Sequence, residues 1–127
     1  MTRRSGSAGL PSQRQRRVGE LIREALSEVL ARTQFRDPVL SDVRLTVTEV
    51  RPAPDLRSAK VYVMPLGGER AAETIDALQR AAGYLRGEVN RRVRLKFSPT
   101  LRFELDRSFE NVERIDRLLD PGGGSDD

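Results

Sequence analysis

Seven apolar positions between residues 71 and 93 constrain this chain more than any other feature. Ala71, Ile75, Leu78, Ala82, Leu85, Val89 and Val93 follow one another at intervals of four, three, four, three, four and four residues. That is the spacing of one face of a single helical path. Inside the path sit Gly83 and Gly87, each about 1 kcal/mol worse than alanine in a helix interior. A linker at Gly83 would shift the phase of everything after it, and the phase does not shift. The sequence therefore predicts a bend at Gly83 within continuous helix rather than two helices joined by a loop. Length supplies a motive, since a straight helix over residues 71–93 would reach roughly 35 Å. It would overhang strands that typically span about 20 Å. The alternative is close packing against a sheet, with both glycines avoiding a clash.

The flanking segments supply that sheet. Val18, Leu21, Ile22, Ala25, Leu26, Val29 and Leu30 repeat at helical spacing, and this first helix should end before Pro38. "VRLTVTEV" (43–50) and "AKVYVM" (59–64) alternate apolar and polar residues, as half-buried strands of an antiparallel hairpin do. "TLRFELD" (100–106) places Leu101, Phe103 and Leu105 on one side of a third strand. "FENVERIDRLL" reads as a short amphipathic helix through Val112, Ile115 and Leu119. The order is helix, strand, strand, bent helix, strand, short C-terminal helix: an α+β, two-layer body over residues 14–119. Residues 1–13 form a basic N-terminal tail and residues 120–127 an acidic C-terminal tail, both with the composition of disordered segments.

What is missing narrows the chemistry. The chain has no cysteine and no histidine, which excludes a Cys/His zinc site, a disulfide framework and a His-based triad. Carboxylates such as Asp37, Asp42, Glu49 and Asp55 are scattered among turns and strand ends, and "PLGGER" lacks the spacing of a phosphate-binding loop. No enzyme activity, cofactor or metal is expected. No stretch is apolar enough for a membrane span, and a soluble, cytoplasmic monomer is the plain expectation.

The net charge of +4 is unevenly spread: +5 over residues 1–17, −2 over 18–78, +6 over 79–102 and −5 over 103–127. Such segregation suits a polyanionic partner. On a helical projection Arg80, Tyr84, Gly87 and Arg91 lie opposite the apolar stripe. In "RRVRLKF" (91–97) Val93, Leu95 and Phe97 then alternate with Arg92, Arg94 and Lys96. A basic strip thus runs from the bend into the next segment, with Glu88 as its one local acid. Small residues beside arginines let a phosphate backbone approach, and Tyr84 offers a ring for a base. The candidate RNA-binding residues are Arg80, Ala81, Gly83, Tyr84, Arg86, Arg91, Arg92, Arg94 and Lys96, joined by Arg14, Arg16 and Arg17 of the basic N-terminal block.

Four segments in order, "RVGELIREALSEVL", "DLRSAKVYV", "AAGYLRGEVNRRVRLKFSPTLRFELDRS" and "IDRLL", resemble the ribosome-binding factor A family, bacterial assembly factors for the small ribosomal subunit. The resemblance covers residues 12–119 and implies a KH-like fold of the second type, with a kinked helix pair between the second and third strands. KH domains usually grip RNA with a Gly-x-x-Gly turn. The family instead has an Ala-x-Gly kink, matched here by Ala81, Ala82 and Gly83. The resemblance implies non-catalytic binding to the free 30S subunit and its 16S rRNA during late maturation near the rRNA 5′ end, with a role in growth in the cold. A general single-stranded RNA-binding protein acting outside the ribosome, and a protein-interaction module with an acidic partner, are the competing readings. The absent Gly-x-x-Gly counts against the former.

Overall fold

Three strands and four helices account for the regular structure among the residues that the computed structural model describes, which are 10–41, 43–66 and 70–108. Helix α1 spans Gln13–Arg32, starting ahead of the apolar repeat that begins at Val18. A capping box sets that start: the Gln15 amide donates to the Ser12 hydroxyl at 3.0 Å, and the Ser12 amide donates to the Gln15 side chain at 2.8 Å. Two orphan donors are thereby satisfied in a stretch with no apolar periodicity to reveal it. The helix ends at Arg32. A four-residue helix, α2 (Pro38–Ser41), follows where the sequence pattern suggests only a boundary. The Asp37 carboxylate accepts from the Val39 amide at 2.9 Å and so caps it.

The hairpin forms between β1 (Leu45–Pro52) and β2 (Ser58–Pro65), antiparallel as expected, with a register irregularity between Val47 and Glu49. Thr48 occupies that bulge. Its hydroxyl reaches the Tyr62 carbonyl at 3.2 Å and the Asp106 carboxylate, at the end of β3 (Thr100–Leu105). β3 pairs with β2 in parallel, giving the order β1-β2-β3. Parallel neighbours need a long crossover. Here it contains α3 (Ala71–Arg80) and α4 (Ala82–Arg92).

All four helices lie on the face of the sheet that buries Val47, Val50, Val61, Val63, Leu101 and Phe103. Ile22, Leu26 and Val29 of α1, Leu78 of α3, and Leu85 and Val89 of α4 complete the core. Gln79 fixes α3 to the outer edge of β3. Its amide donates to the Leu101 carbonyl at 3.1 Å and accepts from the Phe103 amide at 3.0 Å, taking the place of a further strand. Among the described residues no helix is long and apolar enough to cross a membrane. The expected helix over residues 109–119 and the acidic tail lie outside the described residues, as do residues 1–9 of the basic tail.

Candidate nucleic-acid interface

The bend is real, but its pivot is Ala81 rather than Gly83. Ala81 has φ −89° and ψ 3°, outside the helical basin and in the sparsely allowed bridge region. Its amide donates to both the Ala77 and Leu78 carbonyls, and its carbonyl accepts from Leu85 at 2.9 Å, so α3 passes into α4 with no intervening loop. Ala81 and Ala82 are half-buried against the core. The apolar stripe keeps its phase across the bend, as its spacing predicts.

Gly83 and Gly87 have a different meaning from either expectation. A Cβ built on either residue would meet nothing within 4 Å, so neither glycine relieves a clash. Both are exposed on α4, and Tyr84 beside them is 52 % exposed. The helix therefore bears an uncovered strip of backbone that contributes nothing to the packing of the isolated fold.

The candidate cations other than Lys96 divide into three groups by what they touch. Arg86 is committed to the chain itself: its guanidinium donates to the Ser98 carbonyl at 2.6 and 3.1 Å and to the Ser98 hydroxyl at 2.9 Å. Asn90 also bonds that hydroxyl. Together they hold the 93–99 connection against α4, and on it Arg94 and Lys96 point outward while Val93 and Leu95 pack toward the core.

A second group is ion-paired. Arg92 lies between Glu88 at 2.9 Å and Glu28 of α1 at 3.2 Å, joining α4 to α1. Its hydrogen bond to Glu88 raises its pKa above the ordinary value, against partial desolvation, and Glu28 adds to the rise. Arg91 sits 3.9 Å from Glu88 with its side chain 79 % exposed. Arg80 pairs with Asp37 at 2.8 Å, beside α2. The Arg80 hydrogen bond, then that of the Val39 amide, hold the Asp37 carboxyl below its usual range. Glu88 is the one acid within the block, and Glu28 and Asp37 arrive from elsewhere in the fold.

The third group has no carboxylate partner among the described residues: Arg94, and Arg14, Arg16 and Arg17 at the start of α1. The first turn of α1 contains no acidic residue. Cations at a helix N-terminus oppose its dipole, by about 0.3–1 kcal/mol each, so this trio is placed against the stability of its own helix. Contacts connect it to the other cations. Gln15 donates to the Pro52 carbonyl at 3.0 Å. Beyond Pro52 the β1–β2 turn carries Arg57, whose guanidinium carbon lies 4.6 Å from the centre of the Phe97 ring, and Lys96 lies over the same ring at 5.7 Å.

The family model described as ribosome-binding factor A matches residues 14–119. The chain belongs to the ribosome-binding factor A family. A curated member, the protein from Methylobacterium sp. (strain 4-46), is 54 % identical over 92 % of this chain and 89 % of its own. Among solved structures, the crystal structure of ribosome-binding factor A from Thermus thermophilus superposes with a TM-score of 0.63 at 31 % identity, covering 74 % of this chain and 97 % of that one. A homology model of the Thermus thermophilus ribosome-binding factor A, as fitted into the cryo-electron microscopy map of a complex of that factor with 30S, has a TM-score of 0.56 at 32 % identity, over 70 % of this chain and 91 % of that one. The KH-like arrangement expected from the resemblance is the observed one, and the family's Ala-x-Gly falls on the pivot Ala81 and the bared Gly83. Sequence reasoning passed over Arg57, because one arginine in a turn-rich stretch has no local mark. Its ring partner is brought to it only by the pairing of β3 with β2.

Proposed function

We propose that this chain is a non-catalytic assembly factor of the small ribosomal subunit, binding the free 30S particle through folded 16S rRNA. On this reading it acts late in maturation near the rRNA 5′ end, in the cytoplasm and as a monomer, and growth in the cold depends on it. The observation that carries the reading is the bared backbone at Gly83 and Gly87. Two glycines reduce the helical propensity of α4 with no compensating contact in the fold, and Arg94, without a carboxylate partner among the described residues, stands on the connection that follows α4. A phosphate backbone is a partner that both features fit, since it approaches helix backbone closely and carries the opposite charge. The reading takes the site to be Gly83, Tyr84, Arg91, Arg94, Lys96 and the α1 trio, with Ala81, Arg86 and Arg92 shaping the ridge.

If about six of these cations meet phosphate, the logarithm of the affinity for small subunits falls against the logarithm of salt with a slope of about −4 to −5. Sucrose-gradient sedimentation with a salt titration measures both class and slope. Co-migration with free small subunits but not with whole ribosomes is expected. A flat titration, or migration at the top of the gradient, rules the reading out.

The glycines give a second prediction in which stability and binding move in opposite directions. Gly83→Ala and Gly87→Ala each raise stability by about 0.4–1 kcal/mol, because both positions have room for the methyl group. Each also weakens subunit binding by about fivefold or more, the equivalent of ~1 kcal/mol or more of lost close approach. Thermal melts and pelleting of the same preparations check both. Raised stability with unchanged binding would mean that RNA does not touch this strip.

A further inference from the structure

The β1–β2 turn is built more rigidly than a plain hairpin loop requires. The Ala53 amide donates to Ser58 O and the Leu56 amide to Ala53 O, both at 2.8 Å, and the Thr100 amide donates to Arg57 O at 2.9 Å. The Asp55 carboxylate accepts from the Arg57 amide at 3.0 Å. Leu56 adopts φ 62°, a left-handed conformation that is uncommon for a branched, non-glycine side chain. It is held there with its side chain buried. Strain of this kind persists only where surrounding structure over-determines it, and it recurs where a neighbouring group must be presented in one orientation.

The neighbouring group is Arg57. Its guanidinium lies on the Phe97 ring at 4.6 Å, with no carboxylate partner among the described residues. Phe97 is half-buried and Arg57 is exposed. The cation therefore lies over the ring while the residue remains open to solvent. Lys96, over the same ring at 5.7 Å, adds a second positive charge beside it. Arg94 lies two residues further back along the connection.

Resting on the small-subunit reading above, we infer that the Arg57–Phe97–Lys96 corner is a stacking platform for one unpaired nucleotide of the RNA, with the base on the open face of the Arg57 guanidinium and its phosphate at Lys96. The chemistry favours an unpaired base over a helical segment. A planar cation already stacked on an aromatic ring presents a flat, delocalised surface, and such surfaces take up bases that have been splayed out of a helix. A phosphate contact alone needs neither the ring nor the turn geometry. A solvated lysine would serve it equally well, because lysine acts as a point charge whereas arginine also stacks. The corner joins the 93–99 connection, which Arg86 holds at Ser98, to the β1–β2 turn, which follows the Pro52 held by Gln15 beside the α1 trio.

The test is pelleting of Arg57→Lys, Arg57→Gln and Arg94→Gln with purified small subunits across a salt series, with thermal melts run alongside. Arg57→Lys keeps the charge and loses the plane. A fivefold or greater loss of affinity with an unchanged salt slope and melting temperature is expected, in line with about 5-fold to 150-fold for one base–side-chain stack. Arg57→Gln should lose at least as much. If Arg57→Lys binds as the wild type does while Arg57→Gln is weak, the corner makes only a phosphate contact and the platform is overturned. If both Arg57 variants bind normally while Arg94→Gln is weak, RNA does not reach the corner, and the small-subunit reading stands without it. Should the wild type itself show no salt-dependent binding, both inferences fall together.

Discussion

Gly19→Ala lowers the stability of this protein by about 2 kcal/mol and its melting temperature by roughly 8–16 °C, although it removes a glycine from the middle of a helix. The reason is distance. A Cβ at position 19 would lie 2.4 Å from the Val50 carbonyl oxygen and 3.1 Å from Cδ of Pro52. Both atoms belong to β1, and the first is backbone, so no side-chain rotation can clear the way. α1 would have to lift from the sheet over the same stretch where Gln15 holds it to Pro52 O. Overpacking of this kind costs about 1–3 kcal/mol and occasionally more, and the ~1 kcal/mol gained in helical propensity offsets only part of it. Thermal unfolding followed by circular dichroism measures the difference. Gly83→Ala in the same experiment moves the other way, and a rise in melting temperature for Gly19→Ala would refute the close approach.

These two glycines show where the sequence is legible and where it is not. Apolar spacing records which side of a helix faces the core, so the stripe from Ala71 to Val93 indicated that α3 and α4 follow one path. The alternation around Val47, Val61 and Phe103 likewise marked the strands. A helical glycine leaves the same letter whether its missing methyl would strike a carbonyl, as at Gly19, or meet empty space, as at Gly83. The neighbour that decides lies on another element. Charge has the same limitation. Arg80 and Arg92 look like the rest of their basic block, yet their partners Asp37 and Glu28 lie 43 and 64 residues away. The order of charges along the chain marked out a basic block. It could not separate cations that hold the fold together from those that stand open.

That separation determines the largest effect on binding. Arg91→Glu with Arg94→Glu reduces affinity for small subunits nearly a thousandfold at physiological salt and leaves the fold intact. The two substitutions move four units of charge. At about 1 kcal/mol per close charge contact in a watery interface, the change is about 4 kcal/mol, or close to three powers of ten. The fold should survive because little holds these side chains. Arg94 has no carboxylate partner among the described residues. Arg91 sits 3.9 Å from Glu88 with its side chain 79 % exposed, an arrangement worth at most about 1 kcal/mol. The control is Arg44→Glu with Arg102→Glu, which changes net charge equally at exposed positions away from α4, Arg102 being on the outer face of β3. If rRNA binds the α4 ridge, the control variant co-sediments within a few-fold of the wild type and the ridge variant stays at the top of the gradient. Equal losses in the two would mean that net charge, and not this ridge, governs binding. Unchanged co-sedimentation of the ridge variant would remove α4 and its connection from the interface.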